Sequence, residues 1–209
     1  MKIYDLSHTL DNDTPVYQGT PHPVFKKIAS IENDGFRETY LSLTSHTGTH
    51  IDAPYHMIGK GKKLDQLPLE IFSGRAAVVH VPADEPIIRK RMILNGSVSL
   101  QDIDFLLFFT GWNKYWGSRK YFKNYPVLSP GALELVLANN FKGVGFDTIS
   151  ADKEDSADWK IHNSILGKGM IIIENLHIPE GIPALGDFFC FPLLFNDADG
   201  SPVRAVLIT

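Results

Sequence analysis

The 209-residue chain has a single cysteine, no excess of basic residues and no long apolar run. One cysteine cannot form an internal disulfide, so the fold does not require an oxidising compartment. A formal net charge of −4 argues against nucleic acid as the main partner, because duplex-binding domains carry a basic surface. No apolar run approaches the roughly 18 residues of a membrane span, and the start lacks the apolar region of a signal peptide. These absences predict a cytoplasmic globular protein with a small-molecule partner.

The chain also lacks internal repeats, Gly/Ser-rich linkers and long runs of one charge sign. Its length is sufficient for one substantial core but short for two. We therefore expect a single domain spanning residues 1–209. The lone thiol, Cys190, lies among phenylalanines in "DFFCFPLLF", which predicts a buried core filler rather than a nucleophile.

Short apolar runs separated by Pro and Gly predict a mixed α/β fold that is rich in strands and has a few helices. "GRAAVVHVP" and "FLLFFTGW" predict strands buried on both faces, whereas "KIYDLSHTL" and "YLSLTSHTG" alternate as strands with one solvent-exposed face. "GVGFDTIS", "GMIIIENL" and "GSPVRAVLIT" predict further strands, the second of which ends at Glu174. The clearest helix begins at "SPGALELVLANN", where Ser129 can cap and Pro130 suits the first helical position. "IHNSILGKG" predicts one or two helical turns that carry His162.

The segment "YLSLTSHTGTHIDAPYH" concentrates metal-binding side chains. In an extended strand, alternate residues share a face, so His46, His50 and Asp52 would project together while Leu41 and Ile51 would face the core. His46 and His50 would then stand about 13 Å apart, near the limit for binding one ion. A bend or bulge at Gly48 would bring them together, and the missing side chain would leave a hole for the ion.

Imidazole and carboxylate ligands without thiolate are typical of Zn²⁺, Mn²⁺ or Fe²⁺ sites with open coordination positions, which favour catalysis. His56, reached across Pro54, is either a further ligand or an acid/base group. A solvated polar face is the alternative explanation of the cluster. The isolated histidines of the chain are interpreted as ordinary, satisfied polar residues: His8, His22, His80 and His177.

The sequence resembles the cyclase family of metal-dependent hydrolases, which includes bacterial arylformamidases (kynurenine formamidases) and isatin hydrolases. Its hallmark is H-x-G-T-H-x-D-x-P-x-H, and "HTGTHIDAPYH" satisfies every fixed position. The likeness extends through "DLSHTL", "TPVYQG", "LLFFTGW", "IHNSILGKGMIIIENL" and "GSPVRAV", and so covers nearly the whole chain.

The resemblance implies that His46, His50 and Asp52 bind one metal ion and that Asp52 bridges to a second. It implies that His162 and Glu174 are the distal ligands, an assignment that spacing alone does not provide. It also implies that His56 is the acid/base histidine. The expected fold is a swivelling β/β/α arrangement, and the expected assembly is a homo-oligomer, either a dimer or a tetramer.

The implied activity is metal-dependent hydrolysis of a small amide, foremost an arylformamide such as N-formylkynurenine in tryptophan catabolism, with two zinc ions or with manganese. Tyr17 is the predicted aromatic platform for the substrate, and Trp112 is either a second pocket wall or a core residue. Family arylformamidases typically carry Trp at the position of Tyr17, which favours another amide, lactam or ester. The alternatives are hydrolysis of a cyclic amide such as isatin, a non-haem iron oxygenase, and a metal-containing binding module without catalysis.

Overall fold

A computed structural model describes residues 1–83, 85–95 and 99–209. The helices are α1 (Ile31–Asp34), α2 (Lys90–Leu94), α3 (Pro130–Ala138) and α4 (Lys160–Gly167). The strands are β1 (Ile3–Asp5), β2 (Val24–Ala29), β3 (Glu38–Ser42), β4 (His50–Asp52), β5 (Ser73–His80), β6 (Ile87–Ile88), β7 (Phe105–Phe109), β8 (Val127–Leu128), β9 (Gly143–Phe146), β10 (Ile171–Glu174), β11 (Leu185–Phe189), β12 (Gly200–Pro202) and β13 (Val206–Ile208). The predicted strand-rich mixed α/β class is confirmed.

Nine strands form one sheet in the order β1-β13-β11-β5-β7-β9-β10-β4-β12. The central strands β5, β7, β9 and β10 run parallel, and β4 lies antiparallel between β10 and β12. Buried parallel strands need apolar residues on both faces, which explains the continuous runs "AAVV" and "FLLFF". The two runs predicted to be fully buried are thus confirmed as β5 and β7.

The two faces of this sheet bury separate apolar cores. Along β7, Leu106 and Phe108 belong to the core on the helical side, whereas Phe105 and Leu107 belong to the core on the opposite side. This alternation is the period-two geometry of a strand. Helices α3 and α4 cover the first face through apolar residues that include Leu133, Val136, Ile161 and Ile165.

Helix α3 begins as predicted, since the Ser129 side chain accepts a hydrogen bond from the Ala132 amide and Pro130 is the first helical residue. Helix α4 spans eight residues, about two turns, and carries His162 as predicted. The thiol of Cys190 is fully buried and contacts the Phe72 carbonyl oxygen, as expected of a core filler. No helix among the described residues is long and apolar enough to cross a membrane.

The segment around the histidine motif differs from the predicted extended strand. Of the strands that the structure describes, β3 pairs only with β2, in a separate hairpin. The chain then turns between residues 43 and 49, and β4 enters the main sheet. Leu41 is consequently 55% exposed, whereas Ile51 is fully buried. The prediction of one continuous strand with both residues facing the core is wrong, because the turn separates the segment into two sheets.

The predicted C-terminal strand is also divided. Residues 200–202 form β12 beside β4, and residues 206–208 form β13 between β1 and β11. Because of this interruption, the C-terminal segment contributes one strand to each end of the sheet. It also places the turn before β12 next to the histidine motif.

Candidate metal centre

Strand β4 carries two of the predicted ligands into the centre of the molecule. His50 and Asp52 share a face, and Glu174 on β10 lies directly opposite His50 in the antiparallel register. The His50 Nε2 atom is 3.2 Å from Asp52 Oδ1 and 3.6 Å from Glu174 Oε2. All three side chains are buried. Cross-strand pairing therefore gathers residues that are more than 120 positions apart in the chain.

The turn before β4 brings His46 back to the same place. Gly48 has φ of 64°, a left-handed conformation that favours glycine. The rings of His46 and His50 are 5.0 Å apart, and His46 Nδ1 is 2.7 Å from Asp52 Oδ1. The predicted bend at Gly48 is therefore present, but the predicted hole for an ion is not, because an added Cβ would collide with Leu10.

Each of three imidazoles is anchored through its outer ring nitrogen. His50 Nδ1 is 2.8 Å from the Gly48 carbonyl oxygen, to which it donates in this tautomer. His46 Nε2 is 2.9 Å from Asp199 Oδ2, and His162 Nδ1 is 2.7 Å from Asp152 Oδ2. Such outer partners fix the ring orientation and raise the basicity of the other nitrogen. The inner nitrogens of all three rings then face the Asp52 carboxylate.

Helix α4 supplies the second side of the cluster. His162 Nε2 is 3.1 Å from Glu174 Oε1 and 3.6 Å from Asp52 Oδ2. Asp152 caps this helix, because its carboxylate accepts hydrogen bonds from the backbone amides of Ile161 and His162, each at 2.9 Å. The same carboxylate thus fixes the start of the helix and the ring that the helix carries.

The buried charges depend on one another. Burial opposes protonation of His46, but the carboxylates of Asp52 and Asp199 outweigh it and raise the pKa of His46 to about 10. Burial likewise opposes ionisation of Asp52, yet the imidazoles of His46 and His50 hold the pKa of Asp52 well below its usual range. The carboxylates therefore require neighbouring positive charge, which protons or a divalent cation can supply.

The donor set fits a divalent metal ion. Asp52 Oδ2 is buried and has no hydrogen-bond partner among the described residues, a rare state for a carboxylate oxygen. Two groups that share Asp52 have ligand atoms within 4.8 Å of one another: His46, His50 and Asp52, and then Asp52, His162 and Glu174. The five residues predicted as metal ligands thus lie together.

His56 stands at the edge of this cluster, in a short turn at Pro54–His56. Its ring is 4.1 Å from the ring of His46, and its Nδ1 is 3.5 Å from Asp199 Oδ2. His46, His56 and Asp199 form a third group with metal-ligand spacing. His56 is half-buried and lines the cavity beside the cluster, so its position suits either a ligand or a proton-transfer group.

A cavity of about 250 Å³ opens onto the cluster. Tyr17 lines it, as expected of a substrate platform, whereas Trp112 lies outside its lining and donates a hydrogen bond from Nε1 to the Tyr121 carbonyl oxygen. Trp159, which no sequence pattern marks as a site residue, also lines the cavity.

The four isolated histidines lie outside the cluster. Three are exposed: His22, His80 and His177. His8 stacks on Trp116 with ring centroids 3.8 Å apart, and its Nε2 is buried without a hydrogen-bond partner among the described residues. Burial, followed by the charge of His177, lowers the pKa of His8 to about 3. The prediction that His8 is a satisfied polar residue is therefore wrong.

Three polar residues of the cluster were missed. Asp199 lies in "NDADG", which indicates only a turn, and Asp152 lies in an exposed-looking charged loop. Asn175 donates a hydrogen bond to the Gly48 carbonyl oxygen at 2.9 Å. The ten-residue spacing of Asp152 and His162 was the only local signal, because the remaining contacts join distant segments.

Comparisons with known proteins agree with this geometry. The family model described as "Putative cyclase" matches residues 4–153. Kynurenine formamidase of Geobacillus thermodenitrificans (strain NG80-2) is 31% identical over 210 residues, which cover 97% of this chain and 95% of that protein. Isatin hydrolase A from Labrenzia aggregata, bound to benzyl benzoate, aligns with a TM-score of 0.88 and 26% identity over 100% of this chain and 94% of that one.

A second solved structure, a potential metal-dependent hydrolase with cyclase activity, aligns with a TM-score of 0.80 and 25% identity, covering 99% of this chain and 96% of that chain. These likenesses span essentially the whole chain, and the family model covers most of it. The chain belongs to the cyclase family.

Proposed function

We propose that this chain is a metal-dependent amidohydrolase that cleaves the carbon–nitrogen bond of a small aryl amide with water. One observation carries the proposal. Three imidazoles are anchored through their outer nitrogens and turn their inner nitrogens toward one buried carboxylate, Asp52, which has an oxygen without a hydrogen-bond partner in the described part of the chain. This arrangement argues against the alternative that the cluster is only a solvated polar surface, because such a surface would not need imidazole rings fixed in orientation around a buried carboxylate.

In this proposal, His46, His50 and Asp52 would hold one divalent ion, and Asp52, His162 and Glu174 would hold a second. When bound, such ions would lower the pKa of coordinated water to about 7 and polarise the substrate carbonyl group. The ligand residues keep the centre dry and rigid, since all but the half-buried His46 are buried. Zinc is our first choice of metal and manganese the second, because imidazole and carboxylate ligands suit both.

His56 is the proposed proton carrier. Asp199 lies beside its Nδ1, so Nε2 is the atom that accepts the proton of the attacking water and returns it to the leaving nitrogen. A carbon–oxygen bond forms, the carbon–nitrogen bond breaks, and an arylformamide would yield formate and an aryl amine. General acid–base catalysis of this kind contributes about 10²–10⁴-fold in rate.

The related proteins support the substrate class. One protein of similar sequence is a kynurenine formamidase, and one protein of similar structure is an isatin hydrolase. An arylformamide such as N-formylkynurenine is therefore our first candidate substrate, and a cyclic aryl amide such as isatin is the second. The good structural match to isatin hydrolase A favours keeping the second candidate.

The direct test combines metal analysis with a substrate panel. Purified protein is analysed by plasma emission spectrometry and assayed with formanilide, N-formylkynurenine, isatin and phenyl acetate. We expect two ions per chain and amide hydrolysis that is lost on chelation and restored by Zn²⁺ or Mn²⁺. His50→Ala and Asp52→Asn should lose metal and turnover together, and His22→Ala, at an exposed histidine outside the cavity, is the matched control.

The same test separates the alternatives. A single iron per chain with oxygen consumption would identify an oxygenase, and two bound ions without turnover of any substrate would favour a binding module. Hydrolysis at the full rate by chelated protein would refute the metal-dependent mechanism.

We further propose that the single domain of residues 1–209 assembles as a homo-oligomer. The β2–β3 hairpin forms its own two-stranded sheet, and all five residues of β3 are exposed. An isolated hairpin is marginally stable in water, so a covering surface is required. Exposed apolar side chains mark the hairpin region and a second segment: Phe36, Tyr40, Leu41, Leu193, Leu194 and Phe195.

A second copy of the chain is the proposed cover for these side chains, because patches of this kind mark protein interfaces. Light scattering after size-exclusion chromatography should give a dimer or a tetramer. Combining Leu41→Asp with Leu194→Asp should shift the mass toward the monomer, whereas Lys90→Asp on the exposed surface should not. A monomeric wild-type protein would contradict the proposal.

A further inference from the structure

Trp159 is the unusual residue of the candidate site. It precedes helix α4 with φ of 47° and ψ of 46°, the left-handed conformation that bulky side chains rarely adopt. Its amide donates a hydrogen bond to Ser156 Oγ at 3.1 Å, and its carbonyl oxygen accepts one from the Asn163 amide at 2.9 Å. Backbone strain that the surroundings hold in place occurs preferentially at ligand-binding sites.

The strained backbone positions a large ring on the cavity wall. The Trp159 ring lies 6.0 Å from the ring of Tyr17 and 6.1 Å from that of His162, in edge-to-face orientations. Both aromatic side chains line the same cavity as the predicted ligand His162. Met57 and Ile149 supply further apolar lining. Glycine would adopt this left-handed conformation without strain. The presence of tryptophan at this position therefore indicates that its ring has a role in the cavity.

The rest of the lining shows why the ring contact matters. The lining combines the ionisable cluster with four apolar or aromatic side chains: Tyr17, Met57, Ile149 and Trp159. The imidazoles of the lining nearest to Asp52 are already engaged with acidic side chains. Contact with the non-reacting part of an amide therefore depends on the apolar and aromatic side chains, which suit a flat aryl ring.

We infer that Trp159 is a specificity-determining residue, which with Tyr17 forms an aromatic wall selecting aryl amides over alkyl amides of similar size. This inference rests on the proposed amidohydrolase function and assigns the residues that set its substrate class. Formanilide, isatin and N-formylkynurenine belong to the favoured class, and N-butylformamide belongs to the disfavoured one.

The experiment compares wild type with Trp159→Leu, Trp159→Gly and the control Trp116→Leu, which changes a tryptophan outside the cavity lining. For formanilide, the two Trp159 variants should raise KM about tenfold or more with kcat within about threefold, since they remove an aromatic contact. For N-butylformamide, KM should change by less than about twofold because no ring is present. Trp159→Gly should not lower the melting temperature, since it relieves the left-handed backbone.

The ratio of kcat/KM for formanilide to that for N-butylformamide should fall about tenfold from wild type to Trp159→Leu. An unchanged ratio would overturn the inference and leave the proposed function intact. Loss of activity in Trp159→Gly with a lowered melting temperature and unchanged KM would assign a structural role instead.

A binding measurement keeps the two proposals separate. Acetanilide binding, measured by isothermal titration calorimetry, should weaken about tenfold in Trp159→Leu and stay unchanged in Trp116→Leu. If no amide were hydrolysed, the proposed function would fail, yet weakened acetanilide binding would still support the aromatic wall. Unchanged acetanilide binding in Trp159→Leu would overturn the wall.

Discussion

Replacement of Asp152 by Asn tests whether the outer partner of His162 organises the second half of the cluster. The carboxylate accepts three hydrogen bonds, two from backbone amides at the start of helix α4 and one from His162 Nδ1 at 2.7 Å. An Asn side chain offers only one accepting oxygen and turns an NH₂ group toward one of these donors. At least one hydrogen-bond donor is therefore left without an acceptor.

The expected cost can be estimated from these contacts. Loss of a helix cap costs about 0.5–2 kcal/mol, and loss of a hydrogen bond to a charged group costs about 1.5–3 kcal/mol. Together they predict a destabilisation of about 2–5 kcal/mol, which in a chain of this size lowers the melting temperature by roughly 4–20 °C. Loss of the outer partner of a ligating histidine typically weakens metal binding about 10–100-fold.

Competition with a chromophoric chelator measures the metal affinity, and thermal unfolding with excess metal measures the stability. Asp158→Asn is the matched control, because Asp158 lies beside the same helix start but contacts Ser156 rather than His162. Metal affinity of Asp152→Asn within about twofold of wild type would show that His162 does not depend on this carboxylate. A fall in stability with unchanged affinity would leave only the capping role.

Three further predictions test other parts of the structure. Gly48→Ala should lower the free energy of unfolding, measured by urea titration, by about 2–4 kcal/mol. Alanine in a left-handed conformation costs about 1–2 kcal/mol, and its Cβ would also collide with Leu10. An unchanged urea midpoint would contradict the turn geometry. His56→Gln should keep the bound metal, measured by emission spectrometry, while kcat falls about 10²–10⁴-fold; equal loss of metal would make His56 a ligand instead. Burial raises the pKa of Asp147 to about 6, although the Thr110 hydroxyl group donates a hydrogen bond to its carboxylate. Because this pKa is higher in the folded than in the unfolded chain, the free energy of unfolding falls as pH rises from about 4 to 6. Thr110→Val removes this hydrogen bond and should raise the pKa of Asp147 further. The variant should therefore lose more unfolding free energy relative to wild type at pH 8 than at pH 5, as measured by urea titration at both pH values. An equal loss at the two pH values would contradict the coupling between Thr110 and the ionised carboxylate.

The sequence predicts the parts of the fold that depend on local patterns. Continuous apolar runs identify β5 and β7, and the Ser129–Pro130 pair identifies the start of α3, because each signal is contained within a few residues. The break between β3 and β4 was not predicted, although the apolar positions of the segment stop at Leu43 and resume only at Ile51. Only the competition between two sheets for the same segment decides where the strand ends.

The candidate site shows the same division between local and distant information. His46, His50 and Asp52 are recognisable from their spacing, but His162 and Glu174 followed only from the family resemblance. Their positions depend on the cross-strand register of β10 and β4 and on the packing of α4, and neither leaves a local signal. Trp159 was missed for a related reason, because its left-handed backbone cannot be inferred from the residues around it.

The turn at Gly48 is what converts the histidine motif into a metal-binding geometry. In an extended strand, His46 and His50 would be about 13 Å apart, whereas their rings are 5.0 Å apart in the folded chain. The second requirement is space on the neighbouring strand. A Cβ at Gly200, the residue opposite Asp52 on β12, would lie 2.5 Å from the His46 ring, so glycine is needed there for close approach. Because Asp199 directly precedes this glycine, the strand that makes room for the ring also delivers the carboxylate that orients it.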